Sequence, residues 1–182
     1  MTINRISPDI EKPFRKALGH AIRNEFEEMQ QVLLRLSEER IAYCLSLCVH
    51  VSGYVAIDVC GRQWPDEDNL RRLAQATTKT SYAQAFGLKA EDSYAFVKRV
   101  ALGFEPLDKV FPSPEDAATL SFVITGHLLG VFHLADEEWW EFLNRIEEAH
   151  EAAQATDLDL LPALMLRSRR LTSPGATEGV ER

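Results

Sequence analysis

The sequence predicts an all-α protein, a single-domain bundle of about five to seven helices around a long apolar central helix. Three observations carry that expectation. Apolar residues recur at spacings of three and four through nearly every long segment. Helix-start signals precede several of those segments. The chain has 182 residues, 46% hydrophobic and 26% charged, which suits one folded domain with a core of its own. Residues 1–166 are expected to form that domain. Residues 167–182, rich in Ser, Pro, Gly and Thr, are expected to be a flexible C-terminal tail.

From Phe14 to Leu36, the residues Leu18, Ile22, Phe26, Met29, Leu33 and Leu36 mark one apolar stripe, predicting an amphipathic helix that begins after Pro13. Past Arg40 the sequence is apolar nearly all round, as befits a helix surrounded by other elements. Within it Val49, Val51, Val55, Ile57 and Val59 also alternate at the period of a strand, so a kink at Gly53 or a short strand near 53–60 competes with continuous helix. No second strand pattern is present to pair with it, and helix is preferred. Residues 41–60 have almost the length of a membrane span, but they carry His50 and Asp58, which favours a buried core helix and no membrane.

Trp64-Pro65-Asp66 followed by Glu67 and Asp68 predicts a helix start, with that helix running to about Thr78. Ala90 to Gly103 carries Tyr94, Val97 and Ala101 on one stripe, with Gly103 as the stop. Ser113-Pro114-Glu115-Asp116 combines a capping serine, proline at the first helical position and two acids at the positive end of the helix dipole. The helix it opens should reach Leu134, and Gly126 and Gly130, one turn apart, should let another helix approach closely. Asp136 to Ala153 predicts the last long helix, with Trp139, Phe142, Leu143, Ile146, His150 and Ala153 facing inward. A short helix is expected over 158–166.

Met1 to Pro13 lacks the apolar run and cleavage site of a secretory leader, which predicts a cytoplasmic protein. Cys44, Cys48 and Cys60 are an odd, clustered set and read as reduced, mostly buried thiols. No metal and no cofactor is expected. Glu147-x-x-His150 has the spacing of a helical di-metal site, but no second copy of the pair exists, so His150 is placed at the core's edge and Glu147 in solvent. Cys44 and Cys48 lack a second ligand pair. Asp66-x-Asp68 fails as a calcium loop, because Arg71 and Thr77 stand where glycine and glutamate are required. No nucleophile elbow or glycine-rich phosphate loop is present, so a non-catalytic role is favoured over an enzyme.

The net charge of −8 is local. Residues 114–161 hold eleven acids and one base, Arg145, whereas the preceding segments are nearly neutral. Asp136-Glu137-Glu138-Trp139-Trp140-Glu141 begins the acidic helix, and Glu147, Glu148 and Glu151 extend its negative face. Adjacent residues on a helix are about 100° apart, so one tryptophan of the pair must leave the core stripe. An exposed Trp140 among Glu137, Glu138, Glu141, Glu147, Glu148 and Glu151 would anchor and steer a basic protein partner, as in an immunity protein, an inhibitor or a regulatory protein. The first alternative is a helix-turn-helix DNA-binding regulator using residues 79–99, with the other helices forming a homodimer. It rests on Tyr82 to Leu88, and Glu91, Asp92 and Ser93 speak against it. The second is a helical enzyme or small-ligand binder with an apolar pocket near His50, Asp58, His127 and His133.

Overall fold

A computed structural model of the chain describes residues 6–61, 63–79, 87–111, 113–133 and 135–155. In chain order it contains α1 (Pro8–Ile22), α2 (Phe26–Leu33), α3 (Glu38–Val59), α4 (Glu67–Thr78) and α5 (Ala90–Ala95), which runs directly into a π-helical turn (Phe96–Ala101). A 3-10 turn (Leu107–Lys109), α6 (Pro114–Phe132) and α7 (Trp139–Ala155) follow among the described residues. No strand occurs among the described residues, so the protein is an all-α bundle with one long apolar helix, α3. Tyr82 to Phe86, residues 158–166 and the segment 167–182 lie outside the described residues.

The first stripe is one in sequence but two in space. Helix α1 starts at Pro8, with proline at its first position and Asp9 and Glu11 in its first turn, and Pro13 rides inside it. The chain then breaks at Arg23–Glu25, where Asn24 takes a left-handed φ of 63°, which asparagine tolerates better than most residues. The break folds α2 back on α1, so that Phe14 and Leu18 of one and Phe26, Met29 and Leu33 of the other enter the same core.

Helix α3 is capped by Ser37, whose side chain accepts from the Arg40 N–H, and it passes Gly53 without interruption. The alternating valines do not make a strand. Val51, Val55 and Ile57 are all buried against helical neighbours, which a nearly all-apolar helix satisfies without strand pairing. Helix α3 is the one described helix long and apolar enough to cross a membrane, and half of its most apolar window is buried inside the bundle. Its principal neighbour is α6, which is also buried along most of its length. Between them the Ser52 and Thr125 hydroxyls lie 2.9 Å apart, and Thr125 also donates to the Cys48 carbonyl, so these buried polar groups satisfy one another. Phe14 meets Phe122 edge-on at 5.9 Å, joining α1 to α6. Gly126 lies at a close approach of α1 to α6: a Cβ there would stand 2.8 Å from that of Ala21.

Two of the helix starts follow the sequence signals directly. Asp66 accepts from the Asn69 N–H at 2.8 Å and Ser113 from that of Asp116 at 3.3 Å. The segment from Ala90 to Gly103 does not follow its signal. Its helix widens at Phe96, and the Leu102 N–H reaches back five residues to the Val97 carbonyl. The stop is one residue later than the glycine. Phe104, at φ 56°, occupies the left-handed capping position, with its N–H on the Val100 carbonyl and the Glu105 N–H on that of Arg99. Gly103 is required for a different reason, since a Cβ there would come within 2.6 Å of the Arg99 carbonyl oxygen.

Candidate functional site

Helix α7 begins at Trp139 rather than Asp136, because Glu141 turns back to cap it: one carboxylate oxygen accepts from the Glu138 N–H at 2.8 Å. Phe142, Leu143 and Ile146 are buried, with Phe142 edge-on to Tyr54 of α3 at 6.2 Å. The two tryptophans separate as the helical geometry demands. Trp139 packs partly buried beside Gly19 of α1, and Trp140, perpendicular to it at 5.8 Å, is 45% exposed.

The seven residues singled out in the acidic segment fall into two groups. Glu138, Trp140, Glu141 and Glu148 are exposed, and on the helix Trp140, Glu141, Asn144 and Glu148 span one arc of about 100°. Glu137, Glu147 and Glu151 are spent on the protein itself. Glu137 forms a two-point ion pair with Arg145 at 2.7 and 2.9 Å, so the segment's one base is already neutralised. Glu151 accepts from the Ile6 N–H at 3.0 Å. Glu147, placed in solvent by the sequence reading, is instead buried and ion-paired with Arg15 of α1. Its side chain lies 20° outside the exposed arc, on the side of Leu143, and its countercharge comes from a distant part of the chain. Burial outweighs the guanidinium and holds the Glu147 carboxyl up, at about 7.

One turn on, His150 is also buried, and its ring meets that of His50 from α3 at 4.8 Å. Burial pushes both imidazoles down, His50 to about 4 with the second ring adding to the effect. Sequence spacing suggested a link from His150 to Glu147. The pairing with His50 had no local signal, because it joins helices far apart in the chain. His127 is turned elsewhere, donating from Nδ1 to the Thr77 carbonyl of α4 at 3.0 Å. His50 and His127 are thus engaged by different helices, and Asp58 and His133 are each half-buried. Among the described residues no group of three or more His, Cys, Asp or Glu is arranged to hold a metal ion.

No family model, no curated protein and no solved structure matches this chain.

Two of the cations of the segment 79–99, Lys98 and Arg99, are held by carboxylates. Lys98 lies 2.6 Å from Glu67 and 2.7 Å from the Tyr94 hydroxyl, and Arg99 grips Glu105 at 2.6 Å. Ser93, conspicuous in sequence as a polar residue at an apolar position, is buried and accepts from Thr77 at 3.0 Å. Asp92 accepts from the Lys89 N–H and so serves as part of the α5 cap.

Proposed function

We propose that the protein is a non-catalytic, cytoplasmic binding module whose exposed α7 face engages a positively charged protein. The observation that carries this reading is the exposure of Trp140 among Glu138, Glu141 and Glu148 while its neighbour Trp139 is packed away. A large aromatic that is half in water has apolar surface to lose on binding, and carboxylates around it steer a cationic surface toward it. The pairing of Arg145 with Glu137 supports the same reading, because it leaves the face without a free base to weaken its field. An arginine or lysine of the partner set on the Trp140 ring would combine both attractions. The DNA-binding alternative draws no comparable support, since Lys98 and Arg99 would first have to leave Glu67 and Glu105.

The test is capture from an extract of the native host on the wild-type protein and on Trp140→Ala, followed by kinetics with the purified partner. The wild type is expected to retain a basic protein that the variant loses, with dissociation from the variant faster by roughly 30-fold, the equivalent of a ~2 kcal/mol anchor. Glu138→Gln and Glu148→Gln should slow association instead, most at low salt. Glu141 is avoided in that comparison because it caps the helix. Failure to capture a basic protein, or kinetics unchanged in both sets of variants, refutes the proposal.

A further inference from the structure

Helix α7 runs antiparallel to α3. Phe142 lies edge-on to Tyr54 and, further along α7, His150 meets His50, so each step forward on α7 is a step back on α3. The last described residue, Ala155, stands a little more than one turn past His150, on a track that leads toward the first half of α3. The next α3 residues on that track are Ser46, one turn before His50, and Tyr43, two turns before it. Both are exposed, Tyr43 at 38%, and so is Ala42 beside them. From Ile41 to Val49 the sequence carries no charge. In the second half of α3 Val51, Val55, Ala56 and Ile57 are buried by neighbouring helices, whereas this uncharged stretch of the first half is left partly open to water.

We propose that residues 158–166 of the same chain pack along this stretch, carrying the α7 contact onto the first half of α3. Composition and reach select that occupant. Leu158, Leu160, Leu161, Leu164, Met165 and Leu166 stand among nine residues whose one charge is Asp159, which is too apolar a segment to be stable in water. Its first leucine follows Ala155 by three residues, a reach of up to ~10 Å, and Tyr43 lies ~10 Å before His50 along the α3 axis. Nine residues cover the ~12 Å from Val49 to Ile41 even at 1.5 Å each. A segment tethered this closely acts at an effective concentration in the millimolar range, so it holds the surface against a second copy at roughly micromolar concentration. None of these residues belongs to the exposed α7 face, so the two proposals are tested separately.

The experiment is paramagnetic broadening of amide signals in the full chain. Cys60, the one native thiol that is not buried, is changed to Ser. A nitroxide is then attached at Ser46→Cys or, as a control, at Asp68→Cys, an exposed position in the first turn of α4 beyond the far end of α3. Amides of 158–166 should lose most of their signal to the label at 46 and keep it with the label at 68. Labelled chains mixed with unlabelled, isotope-enriched ones should cause no loss. Leu160→Asp with Leu164→Asp in the labelled chain should restore the signals and speed hydrogen exchange at residues 42–46 by roughly tenfold, since that backbone is then opened to water. No broadening from position 46, equal broadening from both positions, or broadening that survives the double substitution overturns the proposal. Broadening in the mixture overturns it as well and assigns the surface to a second copy.

Discussion

Replacing Gly126 by alanine should destabilise the protein, and the same change one turn later at Gly130 should not. In an exposed helix either substitution would be favourable by about 1 kcal/mol, because alanine loses less backbone entropy than glycine. At Gly126 the new methyl group would sit 2.8 Å from the Ala21 Cβ and 3.5 Å from both the Ile22 nitrogen and the Leu18 carbonyl oxygen. Carbon atoms pack at roughly 3.5–4.0 Å, so α1 and α6 must part by close to 1 Å. Ala21 cannot yield by changing rotamer. Overpacking of this kind costs ~1–3 kcal/mol, which exceeds the propensity gain and leaves a net loss of ~1 kcal/mol. At Gly130 the methyl would meet only the Ile22 side chain, at 3.3 Å from Cγ2, and that side chain can shift. There the propensity gain survives. Urea denaturation of both variants should therefore separate them by about 2 kcal/mol, with ~2–4 °C of melting temperature for each kcal/mol in a chain of this size. If Gly126→Ala proves as stable as Gly130→Ala, the close approach of α1 to α6 does not set the cost.

Two further outcomes follow from buried titratable groups. Because the Glu147 carboxyl is raised from 4.5 to about 7, the folded protein binds its proton more tightly than the unfolded chain does. The stability this contributes is complete below pH 4.5 and is lost as pH rises through 7, so wild-type stability relative to Glu147→Gln should fall across that window in urea denaturation. A constant difference would show that the carboxyl is not held up. His50, lowered to about 4, acts in the opposite sense, its contribution being present above 6.5 and lost on acidification, but it is common to both proteins. The second outcome concerns the thiols: burial raises Cys44 to about 11 and Cys48 further still, and Cys60 is partly exposed. A disulfide reagent at pH 8 should therefore modify Cys60 first and the other two only on unfolding. Equal rates for all three in the native protein would contradict their placement.

The parts of the fold that were legible in the sequence are those decided within one or two turns. The caps at Asp66 and Ser113, the glycine contact of α6 and the divergence of Trp139 from Trp140 each depend on local spacing alone. The break at Asn24 escaped because a stripe that folds back on itself keeps its period on both sides of the turn. The strand-like valines of α3 misled for a related reason, since a helix buried on most sides imposes no period on its apolar residues. The capping role of Phe104 was hidden behind Gly103, whose presence suggested the usual helix stop. The candidate acidic face was legible in outline, but its membership was not. Glu147 looked like its charged neighbours until Arg15, 132 residues away, was brought to it.

The contact of Arg15 with Glu147, together with the Ile6 N–H bond to Glu151, joins the first described helix to the last. The bundle is thus fastened by a clasp between its first and last described helices, in which Arg15 keeps its pair with Glu11 and adds Glu147. A nascent chain has made Arg15 long before α7 exists, so that guanidinium has Glu11 but not Glu147 for a partner until synthesis passes Glu147. Long-range closure of this kind is a late event in folding, since the loop entropy of the intervening chain is lost before the contact forms. The same clasp makes the ends interdependent once closed: fraying of α7 releases the backbone at Ile6, and loosening of the N-terminal segment exposes a carboxylate whose burial depends on it.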